Sequence, residues 1–330
     1  MRNYCTLFDT NYLSRGLAMY ESLNAVSVDF HLYIFAFDDK CYEILKNEKL
    51  VNTTIISLKE FEDEKLLAVK PSRSRAEYCW TCTSSTILYC IEKYKLDECT
   101  YLDADLYFYS SPEALFLELG SRSILLTEHR YSPQYQKDDK NGKFCVQFIT
   151  FKNDERGMKA LRWWRERCIE WCYARHEDGK FGDQGYLTDW ETRFDGVYSL
   201  QHLGAGVAAW NVQQFRIYLE GLKLFGMEYA SRRDFELIFY HFHYLRFISD
   251  GTIELGRRDL TEKVLALIYL PYVTELERIK QMLLKKYPDI DPHGTQLYRS
   301  SWKTPILYAL RKMKDVYHIY NLKEFLAGNF

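Results

Sequence analysis

The sequence predicts an α/β fold: a mixed, mostly parallel sheet flanked by helices, with a helical C-terminal extension. Three observations carry this. Strand and helix patterns alternate over the first 110 residues, Phe30 to Phe37 is a nearly unbroken apolar and aromatic run, and beyond Phe247 the pattern turns helical and more charged. Alternation implies a parallel sheet, because each helix must carry the chain back to the same end of the sheet. Unbroken apolar runs imply strands covered on both faces.

Taken in order, Tyr4 to Phe8 reads as a strand, and Asp9-Thr10-Asn11 as a turn and helix start. Leu13, Leu17 and Tyr20 then recur at helical spacing. Phe30 to Phe37 is the second strand, stopping at Asp38-Asp39, and Thr53 to Leu58 the third. A helix from Arg75 to Tyr94 leads to the strand Cys99 to Leu102, followed at once by Asp103-Ala104-Asp105. Ile124 to Thr127 and Cys145 to Phe151 read as strands separated by a polar stretch, Ser132 to Lys143. Arg156 to Tyr173 reads as a helix whose Trp163, Trp164, Cys168, Trp171 and Cys172 share one broad face, the pattern of core packing. Leu260 to Lys286 is helical, Pro288 to Pro292 breaks it, and a last segment runs from Trp302 to Phe325. The expected division is a main domain over 1–255, in halves 1–110 and 111–255, with 256–330 as the extension.

Composition narrows the function. The chain has 330 residues, 47% hydrophobic and 27% charged, which is an ordinary globular balance. Its net charge of −2 argues against a general nucleic-acid binder. Met1 to Cys5 lead straight into Thr6-Leu7-Phe8 with no basic stretch and long apolar run, so a cytoplasmic chain is expected. Nine scattered cysteines, an odd number, suggest reduced and mostly buried thiols. Cys79-Trp80-Thr81-Cys82 has redox-motif spacing but falls inside a helical pattern with no strand before it, which argues against a redox role.

In a parallel sheet, ligands lie at the carboxyl ends of the strands, and Asp9, Asp38 and Asp103 all stand where strands end. Asp103 and Asp105 would point to opposite faces in an extended chain, so a turn after the strand is needed to converge them. Like charges held close call for a cation, and a hard divalent ion such as Mg2+ or Mn2+ bridging phosphate oxygens supplies it. The alternative for the triplet is a solvated turn. Tyr240-His241-Phe242-His243-Tyr244 would place both histidines on one face if extended, as metal ligands or as a hydrogen-bonded core pair. In Phe181-Gly182-Asp183-Gln184-Gly185, Asp183 is either a helix N-cap or a carboxylate for sugar hydroxyls and developing positive charge. His202-Leu203-Gly204-Ala205-Gly206-Val207-Ala208-Ala209-Trp210-Asn211 leaves room for a ligand beside an aromatic wall. Arg73 and Arg75 stand before the long helix, either to neutralise a diphosphate or simply solvated.

These pieces fall in a recognisable order. Arg75-Ala76-Glu77-Tyr78, a helix, then Thr100-Tyr101-Leu102-Asp103-Ala104-Asp105 and Ser111-Pro112 resemble the donor half of family 8-like GT-A glycosyltransferases. Gly142-Lys143-Phe144, Phe151 to Glu155, Trp163 to Cys168, Phe181 to Gln184 and the Gly-Ala-Gly to Trp-Asn run are similar to a bacterial group that makes cell-surface polysaccharides. The resemblance covers residues 1–250 and implies a GT-A fold with a nucleotide-sugar-binding half and an acceptor-side half. It implies that Asp103 and Asp105 bind metal and diphosphate, with His241 or His243 as a further ligand. Phe8, Asp9, Asp38, Arg75 and Ala104 would then contact the donor, and Asp183 and Gln184 would lie beside the anomeric carbon. Gln147, Gly204, Ala205, Trp210 and Asn211 would line the sugar and acceptor pocket. Cys145, Gln147 and Ala209 depart from the pattern, which has Asn, Gly and Pro there.

The resemblance further implies a nucleotide-diphospho-sugar donor, with a UDP-sugar favoured, a glycan or lipid-linked acceptor, a divalent metal, and retention of anomeric configuration. Two rivals stand beside it. One is a nucleotide-sugar-binding protein that has lost turnover, motivated by Cys145 and Gln147. The other is a nucleotidyltransferase, which would be expected to carry a glycine-rich basic loop that Phe8 to Arg15 does not offer. The tail, with Lys303, Arg311, Lys312, Lys314 and Lys323 among aromatics and leucines, suits an anionic membrane surface at the inner face, or a helix packed on the domain.

Overall fold

The apolar runs become the centre of a seven-stranded sheet. The computed structural model describes residues 1–314 and 316–330, with only the backbone of 137–140. The strands are β1 (Arg2–Phe8), β2 (Phe30–Ala36), β3 (Thr53–Ser57), β4 (Glu98–Leu102), β5 (Leu106–Phe108), β6 (Ile124–Glu128), β7 (Phe144–Lys152), β8 (Val197–Ser199) and β9 (Val207–Ala208). Contacts divide the chain into two compact units with interleaved segments: 1–9, 27–104 and 112–202 in the first, 10–26, 105–111 and 203–330 in the second. The expected extension, 256–330, is part of the second unit.

In the first unit the strand order is β3-β2-β1-β4-β7-β6-β8. All neighbours are parallel except where β7 meets β4 and β6, so β7 alone runs against the rest. The expected mixed, mostly parallel sheet is therefore the one observed. Both faces are covered. Cys5 meets Thr86 of the Arg75–Tyr94 helix on one side, while the neighbouring Tyr4 packs on Phe116 of the Glu113–Leu119 helix on the other. That is why β1 is buried along almost its whole length.

Helix boundaries follow local chemistry. A capping box fixes the start at Arg75: the Glu77 amide donates to Ser74 Oγ and the Ser74 amide to the Glu77 carboxylate. The Phe151 to Glu155 motif is structural. Asp154 caps the Glu155–Glu170 helix through the Gly157 amide (2.9 Å) and accepts the Ser123 hydroxyl (2.8 Å). A Cβ at Gly157 would lie 2.3 Å from the Lys152 carbonyl oxygen, so only glycine fits. This helix ends at Glu170, three residues before the expected Tyr173, yet Trp164, Cys168, Trp171 and Cys172 are all buried as the pattern required. The nine cysteines carry free thiols. Cys82 lies buried on the long helix, and burial pushes its thiol well up.

In the second unit, β5 pairs antiparallel with the strand Phe239–His241, and β9 runs parallel to that strand on its far side. A separate antiparallel sheet comprises β10 (Phe215–Glu220), β11 (Lys223–Glu228) and β12 (Asp234–Glu236), and β13 (Phe239–His241) follows it in the chain. The C-terminal region is mostly helical, with helices Leu270–Lys286, Thr304–Met313 and Leu322–Leu326. It also contributes a strand, Ile319–Asn321, so the last segment is not one continuous element, and its Asp315 lies outside the described residues. No helix among the described residues is long and apolar enough to cross a membrane.

Candidate functional site

The two units each hold part of the expected constellation. In the first, β1, β2 and β4 are parallel neighbours, so Asp9, Asp38 and Asp103 follow their strands at the same edge of the sheet. Arg75, opening the long helix, pairs with Asp9 and reaches Asp38 at 2.9 Å. Asp38 also caps the next helix, accepting the Cys41 amide at 2.7 Å. One guanidinium held by two carboxylates leaves a local excess of negative charge, so Arg75 is a brace between strand ends in this conformation. Arg73 donates to the Ile169 carbonyl at 3.1 Å and stacks over Tyr173 at 3.9 Å. The Phe8 ring is buried in the core.

Asp103 follows β4 and its amide donates to the Gln147 carbonyl at 2.9 Å. A carboxylate oxygen of Asp103 and Cys145 Sγ lie within 4.8 Å. Two residues on along β7, Gln147 shares the Cys145 face of the strand. It is fully buried, and neither atom of its side-chain amide has a protein partner. Asp183 sits at the N-cap position of the short helix Gln184–Leu187 but makes no side-chain capping bond, so the capping explanation fails. Burial, then the charge of Asp103, push its carboxyl up to about 7, against hydrogen bonds from Thr83 and local backbone amides. Its carbonyl accepts the Trp164 indole N–H at 2.9 Å, which ties this turn to the core. Gln184 commits its amide N–H to the Asn141 carbonyl at 2.7 Å.

In the second unit, Asp105 opens β5 after a turn through Ala104, and the register places His241 opposite Leu106. His241 Nε2 lies 3.1 Å from Asp105 Oδ1, and the Tyr12 hydroxyl donates to Asp105 Oδ2 at 3.3 Å. Burial alone would raise the Asp105 carboxyl; the charge and hydrogen bond of His241, then the charges of His243 and Arg15, hold it well below the usual carboxylate range. The strand stops at His241, yet the turn that follows keeps the His243 ring 5.7 Å from the His241 ring. Asp105, His241 and His243 can each offer one ligand atom, all within 4.8 Å of one another. A carboxylate with two imidazoles suits a first-row divalent ion better than Mg2+, which prefers an all-oxygen shell.

The Trp210 ring lies edge-on to His241 at 5.3 Å and to His243 at 5.9 Å. Ala205 is fully buried, and the Gly204 carbonyl accepts the Ile238 amide at 2.8 Å, so both serve the packing of this loop. Asn211 staples the loop: its Oδ1 accepts the Ala208 amide (2.9 Å) and its Nδ2 donates to the Gly206 carbonyl (2.8 Å). Gly206 takes φ +77°, which the turn requires and glycine permits. Sequence reasoning missed Tyr12 and Arg15. Arg15 is buried, donating to the His293 and Leu245 carbonyls at 2.8 and 2.9 Å with its guanidinium over the Tyr12 ring. Near a helix start it reads as an ordinary solvated cation, and no spacing signal distinguishes it.

Among solved structures, the chain is similar to the glycosyltransferase GlyE of Streptococcus pneumoniae TIGR4, with a TM-score of 0.41 and 17% identity over 61% of this chain; it spans 45% of GlyE. Mouse xyloside xylosyltransferase 1 gives 0.41 and 12% identity over 61% of this chain and 85% of that one. The galactosyltransferase LgtC gives 0.38 and 14% identity over 60% and 72%. No protein-family model matches the chain. In sequence it is 31% identical over 269 residues to the uncharacterized protein YfnF of Bacillus subtilis (strain 168), covering 78% of this chain and 87% of YfnF. It is 30% identical over 295 residues to the uncharacterized protein YfnD of the same organism, covering 87% of this chain and 92% of YfnD. The chain belongs to the protein family of YfnD and YfnF.

Proposed function

We propose that this chain is a metal-dependent GT-A glycosyltransferase that moves a sugar from a nucleotide-diphosphate donor, a UDP-sugar by preference, to a hydroxyl of a glycan or lipid-linked acceptor. The observation that carries the reading is the Asp105–His241–His243 group, a carboxylate and two imidazoles within ligand distance of one another, on the same triplet as Asp103. The sequence resemblance supports the same assignment, with 1–255 as the catalytic part and the chemistry in the cytoplasm, on surface polysaccharide or glycoconjugate.

The bound ion, Mn2+ in preference to Mg2+, would supply charge compensation for the departing nucleoside diphosphate. Asp105, His241 and His243 would hold it, with Asp103 as the ligand that the sequence adds two residues upstream. Asp9 and Asp38, braced by Arg75, would accept hydrogen bonds from the nucleoside. Asp183, ionised above about pH 7, would face the positive charge that develops at the anomeric carbon. Retention of configuration belongs to this reading through the resemblance.

A second reading, a nucleotide-sugar-binding protein without turnover, is favoured by one observation: Gln147 puts a buried, unpartnered amide where the family pattern has glycine. Hydrolysis of a nucleotide-sugar panel with Mn2+ separates the two. The enzyme hydrolyses at least one donor and Asp105→Ala hydrolyses none. Metal-dependent binding without turnover would leave the second reading, and neither binding nor hydrolysis would end both.

A further inference from the structure

The segment 302–314 stands apart within the second unit. Its sequence, Trp302 to Lys314, carries Lys303, Arg311, Lys312 and Lys314 and no acid, in a chain of net charge −2. The Thr304–Met313 helix buries none of its residues. Only Thr304, Tyr308 and Arg311, a stripe at helical spacing, are half-buried. Arg311 fixes that stripe, donating to Glu254 Oε1 at 2.8 Å. The opposite face is apolar and open: Ile306, Leu307 and Leu310 are exposed, Met313 is 81% exposed, and Trp302 just ahead of the helix is 78% exposed.

Large side chains at i, i+4 and i+7 left in water on a helix whose other face is anchored form an unpartnered amphipathic surface. Its charge names the partner. Lys303 and Lys314 flank the two ends of the apolar face and Lys312 lies beside it, so the ammonium groups would surround any apolar surface it entered. A second copy would bring like charges together, and a ten-residue helix about 15 Å long offers far less area than the roughly 800 Å2 per partner of a stable interface. An anionic bilayer answers both features, with acyl chains for Ile306, Leu307, Leu310 and Met313 and headgroups for the lysines. Trp302, apolar in body with a polar N–H, suits the boundary between them.

We infer that the helix Thr304–Met313 docks the chain in the headgroup region of an anionic membrane. The inference is independent of the chemistry proposed above and rests on this face alone.

The test is sedimentation of the full chain with phosphatidylglycerol–phosphatidylcholine vesicles and with phosphatidylcholine alone. Binding is expected to the anionic vesicles and to fall at least tenfold on raising salt to about 0.5 M. Ile306→Asp with Leu310→Asp is expected to abolish it, and Lys303→Glu, Lys312→Glu and Lys314→Glu together to lower it about a hundredfold. These side chains are exposed, so both variants should keep the parent's thermal midpoint, and that measurement accompanies each assay. Equal binding to neutral vesicles, or no binding by the parent, would overturn the inference. So would binding that survives either variant. A concentration-dependent dimer lost on Ile306→Asp with Leu310→Asp, without vesicle binding, would assign the face to a second copy instead.

Discussion

Replacing Asp183 by asparagine should stabilise this protein, and by an amount that depends on pH in a defined direction. The carboxyl is pushed from its ordinary 3.8 to about 7 by burial and by Asp103. In that window the unfolded chain has lost the proton while the folded chain keeps it. A group raised on folding contributes its full stability below the unfolded value and loses it as pH rises through the folded one. At 1.36 kcal/mol per pH unit, three units amount to about 4 kcal/mol of lost stability by pH 8. Asparagine has no proton to lose, and it keeps a hydrogen-bonding oxygen for Thr83 and the local amides. The stability of Asp183→Asn relative to the parent should therefore climb by about 2–3 kcal/mol between pH 5 and pH 8. Urea unfolding followed by tryptophan fluorescence reads this, because Trp164 and Trp190 are buried in the same unit. Parallel pH profiles for the two proteins would show that Asp183 is not the raised group. The same variant should lose sugar transfer at every pH, so stability and activity move in opposite directions.

Asp105→Asn should abolish Mn2+-dependent nucleotide binding and cost about 3 kcal/mol at pH 7. Its carboxyl is held low, so that cost is present above the ordinary value of 3.8 and shrinks as pH falls below it, which urea midpoints at pH 7 and about 3.5 would compare. Gln147→Met keeps the volume and removes the unpartnered amide. It should raise stability by about 1–2 kcal/mol and weaken the sugar donor about tenfold relative to the free nucleotide, measured by calorimetry. Asn211→Ala removes two buried loop bonds and should cost about 2–4 kcal/mol in thermal or urea unfolding, with nucleotide affinity retained at a temperature where the variant is folded.

Much of the first unit was legible because its signals are local. Strands covered on both faces are mostly apolar, so β2 stood out as a nearly unbroken run. The Arg75–Tyr94 helix has the bounds expected, and Ser74 and Glu77, three apart, cap its start. The second unit was less legible. β10 and β11 form an antiparallel hairpin through Gly221 at φ +61°, a turn signal present in the sequence between two short strands and not used. β5 is three residues long, and its pairing with Phe239–His241 joins positions more than a hundred residues apart, which no periodicity encodes. Arg15 illustrates the same limit at one side chain. Its importance comes from burial against the His293 and Leu245 carbonyls, and those partners are 278 and 230 residues away.

The Asp103-Ala104-Asp105 triplet was legible as a pair of like charges, but the partners each carboxylate meets were not. In the second unit Asp105 is compensated: the charge and hydrogen bond of His241, with the buried Arg15 guanidinium, hold it ionised even though it is buried. In the first unit the charge of Asp103 instead helps to keep Asp183 protonated up to about pH 7. A solvated turn would do neither, because exposed carboxylates titrate near their ordinary values and do not shift their neighbours by units. The sequence could not separate these cases, since the difference depends on which residues the fold brings to each side of Ala104. The Asp105 carboxyl is lowered and the Asp183 carboxyl raised, whereas ordinary ion pairs would hold both low.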